Sequence, residues 1–212
     1  MRSRMLLAGL GAVLLGITGC TTSETGSPTT SATAVDGPST SKPTSTKPAS
    51  QTVEIPARPK ELKLNAIDPC ALFTDGQRGQ LKINRSRLTT NNSDVWRGSK
   101  ECVLNVQAQQ PYYDYAALLI TSEGIGPWLT GKRNVDADLI SVAGFAAAKT
   151  VFKGSSNERN SHECAVSVDV AEGQQLMVSM NLTSRNAFTQ DQICQMTEKA
   201  AEMAVTTLQT LA

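Results

Sequence analysis

Residues 163–182, which read ECAVSVDVAEGQQLMVSMNL, contain the strongest structural signal in the chain. Apolar residues occupy alternate positions from Cys164 to Val170, and the same two-residue period returns from Leu176 to Leu182. Between these runs, Glu172-Gly173 is typical of a tight turn. Because alternate side chains of a strand point to opposite faces, the pattern predicts an antiparallel hairpin with one apolar face that must be covered.

The C-terminal segment is suited to cover that face. Thr189 and Gln192 have the spacing of a capping box, which predicts that a helix begins there. Seven apolar residues then recur at helical spacing: Ile193, Met196, Ala200, Met203, Ala204, Leu208 and Leu211. We therefore predict a long amphipathic helix packed on the sheet.

The remaining elements are shorter. Asp68-Pro69 predicts the start of one helix, and Thr74 with Gln77 predicts a second over residues 75–81. Further strands are expected at residues 101–107, 115–121, 139–142 and 146–152. Extended pieces and loop are expected in the polar segment between Lys82 and Lys100, and a glycine-rich loop is expected around Trp128. The predicted fold class is α+β: a mostly antiparallel sheet with a short N-terminal helix pair and the C-terminal helix.

The N-terminus predicts export and lipidation. Arg2 and Arg4 precede an uncharged run from Met5 to Ile17, which is too short to span a bilayer at about 20 residues per helix. Thr18-Gly19-Cys20 then completes a lipobox. We expect residues 1–19 to be a lipoprotein signal peptide and a diacylglycerol on Cys20 to anchor the chain on the extracytoplasmic face of the cell membrane. The alternative is an ordinary signal peptide with a chance cysteine.

Residues 20–65 are predicted to be a disordered stalk. Seventeen of the 32 residues from Thr21 to Thr52 are Ser or Thr, so little apolar surface is available to offset the entropy of ordering. A single domain is expected from residue 66 to residue 212.

Four cysteines remain beyond the anchor, and an even number in an oxidising compartment favours two disulfides. Of the three possible pairings we favour the two between sequence neighbours, Cys70–Cys102 and Cys164–Cys194. A metal site is not expected, because the chain has no C-x-x-C and a single histidine, His162.

No catalytic motif is found. The chain contains no G-x-S-x-G, H-E-x-x-H or phosphate-binding glycine loop, and we expect no cofactor. The net charge is +1 with scattered basic residues, which argues against nucleic-acid binding. Paired carboxylates of an envelope hydrolase can lie anywhere in a sequence, so Asp136, Asp138, Glu158 and Glu163 stay open as candidates beside the simpler interpretation as surface charges.

Aromatic residues form 4% of the chain, so a cluster of them is informative. Tyr112, Tyr113, Tyr115 and Trp128 are candidates for a platform that binds a glycan or a peptide. The alternative is that these rings plug the open end of a small core.

Several of these motifs resemble an actinobacterial lipoprotein family, domain-of-unknown-function family 3558. The resemblance covers the opening Asp68-Pro69-Cys70-Ala71-Leu72-Phe73, Cys102 on an early strand, residues 164–170 with residues 173–176, and Cys194 at the start of the last helix. It implies an exported, lipid-anchored α+β domain with paired cysteines and no assigned activity.

Together these features predict a cell-surface lipoprotein whose domain is a non-catalytic binding or accessory module, with another envelope or secreted protein as a candidate partner. The alternatives are an envelope hydrolase, a carrier of a small apolar ligand, and a structural or decoy domain.

Lipidation is tested by Cys20→Ser. We expect the variant to leave the membrane fraction, because the thioether that carries the acyl chains cannot form. Fractionation with immunodetection measures this, and unchanged retention in the membrane would contradict the assignment.

Overall fold

The computed structural model describes residues 53–153, 163–184 and 186–212. Cys20, His162 and Glu158 lie outside these ranges. Within them, no helix has the length and apolar character needed to cross a membrane.

A seven-stranded sheet forms the structure, and every pair of neighbouring strands is antiparallel. The strands are β1 (Arg85–Thr90), β2 (Lys100–Val106), β3 (Tyr113–Ile120), β4 (Val135–Val142), β5 (Phe145–Phe152), β6 (Glu163–Ala171) and β7 (Gln174–Leu182). Their spatial order is β1-β2-β3-β7-β6-β5-β4, so the predicted β6–β7 hairpin lies in the interior of the sheet.

Four helices accompany the sheet in the described part of the chain. They are a 3-10 helix (Pro69–Leu72), α1 (Asp75–Gln80), α2 (Gly126–Leu129) and α3 (Gln190–Leu211). Asp68 caps the first through its side chain, and capping boxes begin α1 and α3 at Thr74 and Thr189 as predicted. Gln77, the capping residue of α1, also donates to the Met203 carbonyl at 3.1 Å and accepts from Thr207 at 3.0 Å, which ties α1 to α3.

Helix α3 packs on β6 and β7. Ile193, Ala200, Ala204 and Leu208 are completely buried, whereas Leu211, the last residue of the predicted stripe, is exposed at the end of the helix. On the sheet, Val166, Val168, Val178 and Met180 are completely buried on the same side. The apolar residues of the hairpin and those of the helical stripe therefore pack together in one core.

Both predicted disulfides are present. Cys70–Cys102 joins the 3-10 helix to β2 with a Cα–Cα distance of 5.1 Å, and Cys164–Cys194 joins β6 to the first turn of α3 at 5.2 Å. The predicted α+β class with its antiparallel sheet, C-terminal helix and two disulfides is confirmed.

Two short elements lie in segments for which the sequence defined no bounds. β1 is an extended piece between Lys82 and Lys100, as expected there, and as an edge strand with exposed sides it needs no apolar alternation. α2 forms a single turn inside the predicted glycine-rich loop, where Pro127 occupies the first turn and suits a helix start.

The folded region also begins earlier than residue 66. Leu62 and Leu64 are each 1% exposed and belong to the core. The Leu62 amide donates to the Val170 carbonyl at 2.7 Å, and the Leu64 amide donates to the Gln174 side chain at 2.9 Å. Two leucines spaced by two residues therefore add an extended segment to the end of the hairpin.

Removing either disulfide should destabilise the domain by a similar amount. The bridges span 32 and 30 residues, for which the chain-entropy description gives about 3–4 kcal/mol each. We expect Cys164→Ala with Cys194→Ala, and separately Cys70→Ala with Cys102→Ala, to lower the free energy of unfolding in urea by this amount. A loss below about 1 kcal/mol in either pair would show that the bridge does not constrain the unfolded chain.

Candidate functional site

A pocket of about 460 Å³ opens at the end of the sheet where β2 ends and β3 begins. Four parts of the chain line it: the residues after α1, the end of β2, the β2–β3 loop with the start of β3, and the segment before α3. The lining residues are Lys82, Ile83, Val106, Ala108, Gln109, Gln110, Pro111, Tyr113 and Phe188.

Strand pairing places the apolar lining. Val106 and Tyr113 are direct partners across β2 and β3, and both are nearly buried. The ring of Tyr113 meets Phe188 edge-on at 5.7 Å and meets Tyr115 in the same way at 5.7 Å. Edge-to-face pairs at this spacing are favourable, so the aromatic wall is fixed before any ligand arrives.

Hydrogen bonds fix the loop that forms the other wall. The Tyr112 amide donates to Ser184 Oγ at 2.7 Å, and the Tyr112 carbonyl accepts from the amides of Thr183 and Ser184. At the other end of the loop, the Gln107 amide donates to Asn84 Oδ1 at 2.8 Å. The peptide bond between Gln110 and Pro111 is cis.

The pocket carries little charge. Among the described residues that line it, Lys82 is the one charged residue, and the one other titratable group is the Tyr113 phenol. Burial raises the pKa of Tyr113, so this phenol stays protonated and neutral at physiological pH. The pocket can therefore bury apolar groups and offer hydrogen bonds, and its described lining has no carboxylate or histidine to act as a general base.

The structure does not bring the four predicted platform aromatics together. Tyr113 and Tyr115 are 5% and 1% exposed on the side of the sheet covered by α3, and Tyr112 is 39% exposed beside the pocket. Trp128 is 5% exposed and packs on the opposite side. The predicted exposed platform is therefore corrected: strand alternation buries Tyr113 and Tyr115, and the loop after β3 folds Trp128 under the sheet.

Trp128 belongs to a second cluster. Its ring lies 5.6 Å from that of Trp96, and its Nε1 donates to the completely buried Gln175 at 2.8 Å. Arg133 stacks on Trp128 with Cζ 4.0 Å from the ring centre and pairs with Glu123. The hydrogen-bonding group and the ring face of Trp128 therefore already have partners within the domain, so the cluster is structural.

The carboxylate candidates do not converge. Asp136 and Asp138 lie opposite Val151 and Lys149 in the β4–β5 ladder, on the face whose Lys149 reaches Glu198 of α3 at 3.3 Å. Glu163 points to the other face, because the next residue, Cys164, bonds to α3. The sheet separates Glu163 from the two aspartates, so Glu163 cannot form a catalytic pair with either of them. Asp136 and Asp138 share one face but are both exposed, and Asp138 pairs with Lys149 at 3.7 Å, as expected of surface charges.

Another group of carboxylates lines a cleft of about 600 Å³ beside the β6–β7 turn. Arg58 donates to Asp169 at 2.7 Å, to Glu172 at 2.9 Å and to Glu61 at 3.0 Å. Burial raises the pKa of Asp169, although its bonds to Arg58 oppose the shift. One guanidinium bridges all three carboxylates. These ion pairs hold the N-terminal segment against the β6–β7 hairpin.

Within the described ranges, no group of three or more metal-ligating side chains is assembled. Sequence reasoning missed Lys82, Ile83, Val106 and Phe188 as pocket residues. Only Phe188, an aromatic residue just before a helix start, carried a signal that could have identified it.

The fold and pocket define a disulfide-stabilised α+β domain with a ligand-sized, weakly charged cavity. The family model described as "Protein of unknown function (DUF3558)" matches residues 15–207. The chain belongs to this family. Searches of curated proteins and of solved structures gave no match.

The raised pKa of Glu163, on the face of the sheet opposite α3, can be tested through its effect on stability. Burial raises its pKa, so the folded state binds the proton more tightly and stability falls as pH rises from below the unfolded pKa, about 4.3, through the folded value. We expect Glu163→Gln to raise the urea midpoint at pH 7, with the gain disappearing below about pH 4. Glu202→Gln, at an exposed position, is the control. An unchanged or lower midpoint for Glu163→Gln at pH 7 would contradict the raised pKa of Glu163.

Proposed function

We propose that this protein is a lipoprotein, held by a diacylglycerol on Cys20 at the extracytoplasmic face of the cell membrane, whose domain binds an apolar component of the envelope without converting it. The basic n-region, the short apolar run and the cysteine after Thr18-Gly19 support the anchor. Two disulfides are typical of exported domains and support the compartment.

The pocket beside Tyr113 and Phe188 is the observation that carries the binding function. Its volume of about 460 Å³ falls within the usual range for small-molecule sites, about 300–1,000 Å³. Apolar and aromatic side chains line it together with two glutamine amides, the composition expected of a site that buries a ligand and orients it with a few polar groups.

Binding is favoured over catalysis by the chemistry of the described clefts. Among its described lining residues the pocket has no carboxylate or histidine, and the carboxylates of the larger cleft are engaged by Arg58. A hydrolase of paired carboxylates needs one acid that is free to reach the leaving group, and all three carboxylates of this cleft are bonded to Arg58.

The pocket lies far from the point where the N-terminal segment joins the sheet. The N-terminal segment joins the domain through Arg58 and Leu62 at the β6–β7 turn, where β7 begins. Tyr113 pairs with Leu182, where β7 ends. The length of β7 separates the two points by about 27 Å at the usual strand rise of about 3.4 Å per residue. A ligand can therefore enter the pocket without displacing the segment that leads to the membrane.

The proposal is tested by filling the pocket. Ala108 is exposed and lines the cavity, so Ala108→Trp places an indole in the volume that a ligand would use. We expect the affinity for the neutral apolar fluorophore N-phenyl-1-naphthylamine to fall about tenfold or more, because losing the burial of two methylene equivalents costs about 1.6 kcal/mol. The measurement uses the full chain carrying Cys20→Ser, so that no acyl chain competes for the probe.

Ala66→Trp is the matched control, because Ala66 is exposed and does not line the pocket. It should bind the fluorophore as the parent chain does. Equal affinities for both tryptophan variants, or no binding by the parent chain, would overturn the assignment of the pocket as a ligand site.

A further inference from the structure

Lys82 adopts a backbone conformation that lysine does not favour. Its φ is 59°, in the left-handed region, directly after α1. The Lys82 amide donates to Gly79 at 3.2 Å and the Ile83 amide donates to Arg78 at 2.9 Å. This pair of bonds is the Schellman ending of a helix, and the residue at the position of Lys82 is usually glycine, because a Cβ there is strained.

The left-handed conformation ends helix α1, but the Lys82 side chain adds nothing to the packing of the fold. Lys82 is exposed, and its ammonium makes no hydrogen bond or ion pair with any of the described residues. Backbone strain of this kind is concentrated at binding and catalytic sites. The side chain that the strained residue carries lies on the wall of the pocket.

The pocket therefore has two chemically different parts. The buried Val106 and Tyr113 and the half-buried Phe188 provide apolar and aromatic surface. Lys82 provides a cation that has no counterion among the described residues. Gln109 and Gln110 contribute amides that can donate further hydrogen bonds to an anionic oxygen. The part of the chain that the structure describes places no carboxylate in the pocket lining to compete for the ammonium.

We propose that the pocket binds an anionic amphiphile, a fatty carboxylate, with its alkyl chain against Val106 and Phe188 and its carboxylate at Lys82. This proposal rests on the binding function assigned to the pocket and adds the class of its ligand. A cationic amphiphile would meet the Lys82 charge, and a neutral one would leave that charge without a partner.

The test compares decanoate with decanol as competitors of N-phenyl-1-naphthylamine on the full chain carrying Cys20→Ser. Lys82→Asn removes the charge and keeps a residue that tolerates the left-handed region. We expect the affinity for decanoate to fall about tenfold, the contribution of one charge-assisted hydrogen bond, while the affinity for decanol is unchanged. Lys132→Asn, an exposed position outside the pocket, should leave both affinities unchanged.

Three further measurements accompany this comparison, and the first separates binding from folding. The melting temperature of Lys82→Asn should equal or exceed that of the parent chain, because the substitution relieves strain. On the parent chain, a higher salt concentration should lower the affinity for decanoate and leave the affinity for decanol unchanged, since salt screens an exposed charge. From octanoate to decanoate the affinity should rise about fourfold per added methylene.

The outcomes distinguish the two proposals. If decanol binds and Lys82→Asn leaves decanoate unchanged, the anionic ligand is wrong while the pocket assignment survives. If Lys82→Asn weakens decanoate and decanol equally, the charge of Lys82 is likewise excluded as the determinant. If neither competitor nor the fluorophore binds the parent chain, both proposals fail.

Discussion

The apolar face of the β6–β7 hairpin has to be removed from water, and the rest of the structure is arranged around how this is done. Val166, Val168, Val178 and Met180 lie side by side in the interior of the sheet and are completely buried. Helix α3 covers them, with Ala200 and Ala204 allowing a close approach of helix and sheet. The Cys164–Cys194 bond fixes the start of the helix over the start of β6, so the helix cannot shift along the hairpin without breaking a covalent link.

A second covering lies beside the first. The 3-10 helix contacts β1, β2 and β3, while α3 contacts β6 and β7. Each covering has its own disulfide, one to β2 and one to β6. The residues that follow α1 and those that precede α3 meet at the end of β2 and the start of β3, where the pocket lies. Because both coverings are anchored covalently to the sheet, the pocket walls do not depend on a ligand for their position.

The sequence predicted the elements that have a strong period and left out those that depend on their neighbours. The hairpin, the capping boxes and the C-terminal helix follow from local spacing, and the pairing of cysteines close in sequence follows from loop length. β1 has no apolar alternation, and the strand forms because its backbone pairs with β2. For the site, the predicted strand began at Tyr115, whereas β3 begins at Tyr113 and so places both rings on one buried face. Trp128 follows a strand end, and its direction depends on the path of the chain. Lys82 gave no signal, because helix C-termini in the left-handed conformation are recognised from glycine.

By itself the sequence determined the α+β class, the antiparallel hairpin, the covering helix and the two disulfides, since each follows from residue periods and spacings that act along the chain. It also carries the predicted export signal and Cys20. Only the tertiary structure decided that the core takes in Leu62 and Leu64, that Arg58 closes the N-terminal segment onto the β6–β7 turn, and that Lys82, Val106, Tyr113 and Phe188 line one pocket. These residues are distant in sequence, and strand pairing and helix packing bring them together at positions that no local pattern records.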